Sequence, residues 1–452
     1  MICPLDYRYG RKIVKDIFSE ENKIRTMAMV EEALAYANFK ANKIKMEDYE
    51  NIKMACQRIN PIRVKEIEGE IKHDVMALVR AISENAGESG KYVHLGATSN
   101  DIIDTANALQ LKQFYEVMEK NFLELENVFI EKIERYRDSI MLGRTHGQHA
   151  LPITFGLKLS VYLAEIHRQH MRMRESSRRV LVGKMMGAVG TGAGFGENAL
   201  EIEENVMKYL GLNYEEGPTQ IVGRDRYIEF ISVISNLSTT LEKIATEIRN
   251  LQRPEIGEVQ EYFDIEKQVG SSTMAHKINP ITSENICSLA RVIRSMIIPS
   301  FENNILWHER DLTNSASERF TIPHAAVLID DITNKMTWLI NTLVVNEEKM
   351  RQNLESSKYY IMDEKIILYL VSKGIGRQDA HEIVRRNAMR SMKENVPFNT
   401  LFLKDDEIKN IMTEEELKGI VDPYSYLGSY KKIIERILKK VKEENGLTMS
   451  DS

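Results

Sequence analysis

Cysteine, proline and long apolar runs are all scarce in this chain, and each scarcity narrows what it can be. Its three cysteines, Cys3, Cys56 and Cys287, lie far apart and without the paired spacing of a zinc site. Neither a disulfide framework nor a structural metal is expected, and such usage fits a reducing cytoplasm. No stretch approaches the roughly 18 apolar residues of a membrane span, and the start, Met1 to Arg8, has no apolar signal core. Charge of one sign is not concentrated either. The 61 Lys and Arg are interspersed with 67 Asp and Glu for a net charge of −6, and no basic block suggests nucleic acid or an anionic membrane.

What is present is the composition of an ordinary globular protein: 43% hydrophobic and 28% charged over 452 residues, enough for two or three domains. Ten prolines leave two long gaps, Pro61 to Pro152 and Pro323 to Pro397, where helices can run unbroken. No repeat and no sustained strand alternation occurs. Helical periodicity fills the space instead. Met27, Val30, Leu34 and Ala37 step by three and four. From Asp104 onward, Leu111, Phe114, Met118, Phe122, Leu125, Phe129 and Tyr136 make one face, and Tyr227, Phe230, Ile234, Leu237, Leu241, Ile244, Ile248 and Leu251 make another. Stripes this long pack as bundles, and they extend beyond what one chain ordinarily covers, which points to an oligomer. The expected fold is all-α. Its parts are an N-terminal helical domain over 1–102, a central long-helix bundle over 103–345 that builds a multi-subunit core, and a C-terminal helical domain over 346–452.

Polar clusters interrupt this frame. Gly270 to Pro280, Gly-Ser-Ser-Thr-Met-Ala-His-Lys-Ile-Asn-Pro, is too polar to bury itself and reads as a surface loop. Lys72-His73-Asp74 falls within a helical run starting near Val64, where a surface pair is the simpler reading. In Val93 to Asp101, Gly96 permits a turn and Thr98 or Ser99 can cap the next helix, whose free N–H groups attract carboxylates. Gly143 to Pro152 carries Arg144-Thr145-His146-Gly147 as a further polar loop. The glycine run 183–196 misses the spacing of a dinucleotide or phosphate loop, and close packing or a substrate-facing turn fits it better. Arg310 and Arg319 with Ser315 between them can cradle a phosphate, or else pair with Glu309, Asp311 or Glu318. Arg8, between Tyr7 and Tyr9, is an anion site or a solvated lead.

Together these clusters carry a resemblance. Gly270 to Pro280 is similar to the signature of the fumarase/aspartase superfamily, Gly-Ser-Ser-x-Met-Pro-x-Lys-x-Asn-Pro, with Ala275 in place of the usual proline. Lys72-His73-Asp74-Val75, Gly143-Arg144-Thr145-His146-Gly147, His276-Lys277 and Trp307-His308-Glu309-Arg310-Asp311 resemble the members acting on succinylated purine nucleotides, over essentially the whole chain. The resemblance implies elimination of fumarate from adenylosuccinate, giving AMP, and from SAICAR, giving AICAR. It implies no metal or organic cofactor, small nucleotide substrates, no nucleic-acid or membrane partner, and a homotetramer whose sites draw loops from three subunits.

By the same resemblance Ser271 is the general base and His146 the general acid, with Lys277 and Asn279 stabilising the carboxylate that gathers charge. Glu284 orients a catalytic partner, and His73 and His94 set site polarity. Thr98, Ser99, Thr145 and Gln220 hold the fumaryl carboxylates. Asp74 and Ser272 join the substrate-binding set, and Arg8, Tyr9, Arg310, Ser315 and Arg319 hold the nucleotide phosphate. A sibling lyase acting on argininosuccinate is the alternative. A non-catalytic scaffold of the same fold is disfavoured because it has no use for Ser271, His146 and Lys277 together.

Overall fold

A computed structural model describes residues 2–264, 267, 273, 274 and 276–446. Helices dominate it, and among the described residues strands form only two-stranded pairs. The chain divides into two compact units. The first comprises Met1–Leu125, Ile166–Lys243 and Asn285–Met336, the second Glu126–Glu165, Ile244–Glu284 and Thr337–Ser452. Five long helices, Ser99–Arg135, Phe155–Val180, Asp225–Leu251, Ile281–Ser295 and Ser315–Thr342, contribute residues to both. All fifteen residues of the two long apolar stripes are buried. The single chain therefore covers faces that the sequence suggested would need a partner.

In the first unit, the helix Glu20–Lys40 starts where Ser19 accepts the Asn22 N–H and acidic Glu20 and Glu21 follow. Met27, Val30, Leu34 and Ala37 all face the core, which continues through Val75, Leu78 and Ile82 to Val206 and Leu210. The run from Val64 is not one helix through His73. Pro61–Ile71 ends at Lys72, which adopts left-handed φ 56°, and His73 caps a new helix, Asp74–Ala86, by accepting the Met76 N–H. The turn places His73 and Asp74 at a helix start instead of mid-helix.

In the second unit, Gly143 to Pro152 is a hairpin where the sequence suggested a loop. Strands β1 (Ile140–Thr145) and β2 (Gln148–Thr154) pair antiparallel with Thr145 opposite Gln148, leaving His146 and Gly147 as a two-residue turn. Both have positive φ, 54° and 73°, as a primed hairpin turn requires. Alternation is hidden because the register slips between Leu142 and Arg144. Ile140 and Leu142 at the hairpin base join a core with Leu354, Ile366, Leu370, Phe398 and Phe402 of the C-terminal helices.

Gly96 and Gly194 show why the glycine run exists. A Cβ on Gly194 would lie 2.7 Å from the Gly96 carbonyl oxygen, and one on Gly96 would lie 2.6 Å from the Phe195 ring. The two loops cross backbone to backbone. Gly96 also has φ +84°, so Gly96→Ala is expected to cost about 1–3 kcal/mol and lower Tm. Gly69→Ala, in an exposed helix position with nothing within 4 Å, is expected to raise stability by up to about 1 kcal/mol. Thermal unfolding of the two variants checks the contrast.

Candidate active site

The loop from His94 to Asn100 in the first unit is fixed by one buried carboxylate. Asp101 accepts the Thr98 N–H at 2.8 Å, the Met186 N–H at 3.1 Å and the Gly187 N–H at 3.0 Å, and it pairs with the Lys184 ammonium. Both charged side chains are fully buried. The head of the Ser99–Arg135 helix is thereby tied to the glycine run, and Thr98 and Ser99 stand where free helix N–H groups favour an anion.

Below that helix head lies a cavity of about 300 Å³. Asp74, Arg310, Ser315 and Arg319 line it together with Lys23, Lys65, Asn100, Arg224 and Glu318, and apolar walls come from Ile24, Met27, Ile103 and Ile322. Most of its charges are already matched. Arg224 makes two bonds to Asp104, at 2.7 and 3.0 Å, and reaches Glu318 at 2.9 Å; Lys65 pairs with Glu20 and Glu68, and Arg319 with Asp74 at 3.9 Å.

Two cations are left over. Among the described residues Arg310 Nη1 donates only to neutral amides, Asn100 at 2.8 Å and Gln220 at 3.0 Å, and its buried Nε has no hydrogen-bond partner. Lys23 makes no ion pair among the described residues. Burial, with Arg319 adding repulsion, lowers the Lys23 pKa, and burial together with Arg224 lowers that of Arg310. Two charged groups whose ionised forms are disfavoured in the empty cavity make a receptor for a compact dianion. Gln220, which does not itself line the cavity, holds Arg310 by accepting from it while donating to the Ala188 carbonyl at 3.1 Å.

The other first-unit candidates do not line the cavity. Arg8 is exposed with its guanidinium 5.9 Å from the Tyr9 ring centroid, and Lys335 approaches the same ring at 5.2 Å. His73 is half exposed beside Asp74, at 3.8 Å, and His94 bonds to Glu31 at 2.7 Å.

In the second unit, Thr145 and His146 are exposed at the hairpin tip. Arg144 beside them is bidentate to the fully buried Glu258, at 2.9 and 2.7 Å, and Asn353 donates to the same carboxylate at 2.8 Å. This clamp aims the tip. Glu261 does similar work at the end of the polar stretch: it accepts the Thr282 and Ser283 N–H groups at 3.0 and 2.7 Å and so caps the Ile281–Ser295 helix, while Gln252 holds the Ile278 carbonyl at 3.3 Å. Lys277 and Glu284 are exposed and Asn279 half-buried beside that cap. Ser271 and Ser272 lie outside the described residues.

Lys23, Asp101, Lys184, Arg224, Glu258 and Glu261 escaped the reading from sequence. Lys184 alone carried a visible signal, a charge inside the apolar run Leu181-Val182-Gly183-Lys184-Met185-Met186.

Comparison with known proteins places these features in a wider context. Residues 7–295 match a family described as Lyase, and residues 360–437 one described as Adenylosuccinate lyase C-terminus. The chain is 45% identical to an adenylosuccinate lyase of Archaeoglobus fulgidus, covering 98% of this chain and 99% of that one. It is 47% identical to that of Pyrococcus abyssi, covering 98% of each. Among solved structures, a fumarate lyase from Mesorhizobium sp. BNC1 superimposes with TM-score 0.87 at 28% identity, covering 95% of this chain and 98% of the other. A 3-carboxy-cis,cis-muconate lactonizing enzyme from Pseudomonas putida gives TM-score 0.87 at 27% identity, with 97% and 99% covered.

The buried Asp101–Lys184 pair generates a direct test. Lys184→Met leaves a carboxylate buried without its cation and is expected to cost about 3–5 kcal/mol in denaturant unfolding. Adding Asp101→Asn is expected to recover part of that loss.

Proposed function

From the premise that this chain belongs to the adenylosuccinate lyase family, we propose that it eliminates fumarate from adenylosuccinate to give AMP, and from SAICAR to give AICAR. The observation that carries the reading to this site is the cavity with two cations, Lys23 and Arg310, that make no ion pair among the described residues. A phosphate monoester carries about −1.5 to −2 charge at neutral pH, which matches them. Ser315, at the start of its helix, and Arg319 add a hydroxyl and a second guanidinium.

In the proposed reaction Ser271, as alkoxide, takes the proton from the carbon next to a succinyl carboxylate. The resulting electron-rich carboxylate is held by Lys277 and Asn279 while the C–N bond breaks, and His146 gives its proton to the departing nitrogen. Fumarate and the purine amine are the products, with no oxidant or reductant involved. A serine hydroxyl ionises far above pH 7, so closure of the 270–280 segment over substrate must supply the cations and N–H groups that favour its alkoxide. Thr98, Ser99, Thr145, Ser272 and Gln220 take the fumaryl carboxylates. Glu284 orients the catalytic groups and His73 sets the polarity around them, with Asp74, Arg8 and Tyr9 on the nucleotide side.

His146, Lys277 and Glu284 make no side-chain bond to one another among the described residues, so a site assembled from loops of several subunits suits them. The proposal is a homotetramer. Exposed Ile298, Phe301, Ile305, Trp307, Leu312 and Phe320 support it, because apolar side chains concentrated in one segment mark an interface. Three free cysteines accord with a cytoplasmic setting, and no helix among the described residues is long and apolar enough to cross a membrane.

Absorbance assay of the purified protein with adenylosuccinate, with argininosuccinate as control, tests the substrate. Turnover of the first alone is expected; turnover of argininosuccinate alone overturns the reading. Ser271→Ala and His146→Gln are each expected to lower kcat by about 10²–10⁴-fold with the fold intact. Lys23→Met and Arg310→Met are expected chiefly to raise KM, and an unchanged KM in both would remove the phosphate from this cavity.

A further inference from the structure

His94 stands at the entrance to the 94–100 loop with φ 64°, a left-handed conformation uncommon for a residue bearing a side chain. Its Nδ1 lies 2.7 Å from Glu31 Oε1. Glu31 is on the core face of the Glu20–Lys40 helix and 1% exposed, and among the described residues its second oxygen is buried with no hydrogen-bond partner. An apolar side chain would fill that core position without any desolvation cost. The carboxylate is there for one imidazole.

The other end of that imidazole is open. No bond to His94 Nε2 is found among the described residues, and the side chain keeps 13% exposure. The charged groups bearing on His94 are Glu31 from one helix and Asp101 from the head of another, and Asp101 is itself matched by Lys184. We propose that Glu31 is a positioning residue that fixes His94 as an imidazolium, so that Nε2–H is a cationic donor to an anionic group of the substrate at the 94–100 loop. This rests on the proposed assignment of that loop to substrate binding.

Burial by itself lowers the His94 pKa, but the field and hydrogen bond of Glu31, with a contribution from Asp101, outweigh it and raise the pKa above the ordinary 6.5. The sign follows from linkage. The pair's contribution to stability is fully present below pH 6.5 and is lost as pH rises through the raised folded value. The donor therefore persists to higher pH than an unassisted buried histidine would keep its proton.

Two readouts test this: NMR titration of the His94 ring in the unliganded protein, and kcat/KM against pH for the wild type and Glu31→Gln. The expected result is a wild-type His94 titrating above 6.5 and a Glu31→Gln His94 titrating below it. Glu31→Gln should lose roughly tenfold in kcat/KM per pKa unit of displacement at pH 7.5, mostly through KM, and should lie within about twofold of wild type at pH 5.5 on the same linkage. A loss equal at both pH values would make Glu31 merely structural and overturn the proposal, as would a wild-type His94 that titrates at or below 6.5. If the wild type released no fumarate from adenylosuccinate, the proposed substrate would fail separately, and the ring titration would still decide the pairing. Should Glu31→Gln not fold, the wild-type titration alone decides it.

Discussion

A single carboxylate, Asp101, holds together two loops of the first unit that frame the candidate site. It sits fully buried at the head of the longest helix, and its ligands are the Lys184 ammonium and three backbone N–H groups from two separate loops. Charge-assisted bonds of this kind are stronger than neutral ones and lose little to solvent when buried. Their consequence is geometric. The backbone of 94–100 and that of 186–194 must meet at van der Waals distance, which only glycine at 96 and 194 allows.

Charge pairing then divides the cavity into a scaffold and a receptor. Arg224 with Asp104 and Glu318, and Lys65 with Glu20 and Glu68, are closed accounts that shape the walls. Lys23 and Arg310 are open ones. A half-buried cation without a paired carboxylate is costly unless a ligand supplies the missing charge, so the same imbalance that weakens the protein alone would strengthen the proposed complex with an anion. In the second unit the Arg144–Glu258 clamp and the Glu261 cap play the scaffold's part, leaving His146 and Lys277 exposed. Rigid supports behind exposed side chains are what the proposed completion of the site by ligand and loop closure needs.

Much of the helical frame was legible in the sequence because it is written in period. Met27 to Ala37, Leu111 to Tyr136 and Tyr227 to Leu251 each announce a buried stripe, and each is one. The hairpin at 140–154 was not legible, since a slipped register and a Pro opposite Leu142 erase its alternation. Nor was the helix break at Lys72, which depends on one left-handed residue of ordinary type. For the candidate site, Asp74, Arg310, Ser315 and Arg319 were found as clustered polar residues and do share a cavity. The buried charges that hold the 94–100 loop in the first unit and the hairpin in the second were invisible because the ion pairs Asp101–Lys184 and Arg144–Glu258 join residues 83 and 114 positions apart along the chain. Sequence spacing carries no trace of such pairings. Resemblance to a known family singled out the exposed candidates, and burial revealed the charges packed behind them.

Native-state hydrogen exchange at the Thr98, Met186 and Gly187 amides tests the Asp101 hub most directly. If a preformed buried carboxylate binds these three N–H groups, all of them exchange in the unliganded protein with protection close to that of global unfolding, although all three lie in loops. Fast, loop-like exchange at these amides without substrate would contradict that hub and the preorganised site built on it.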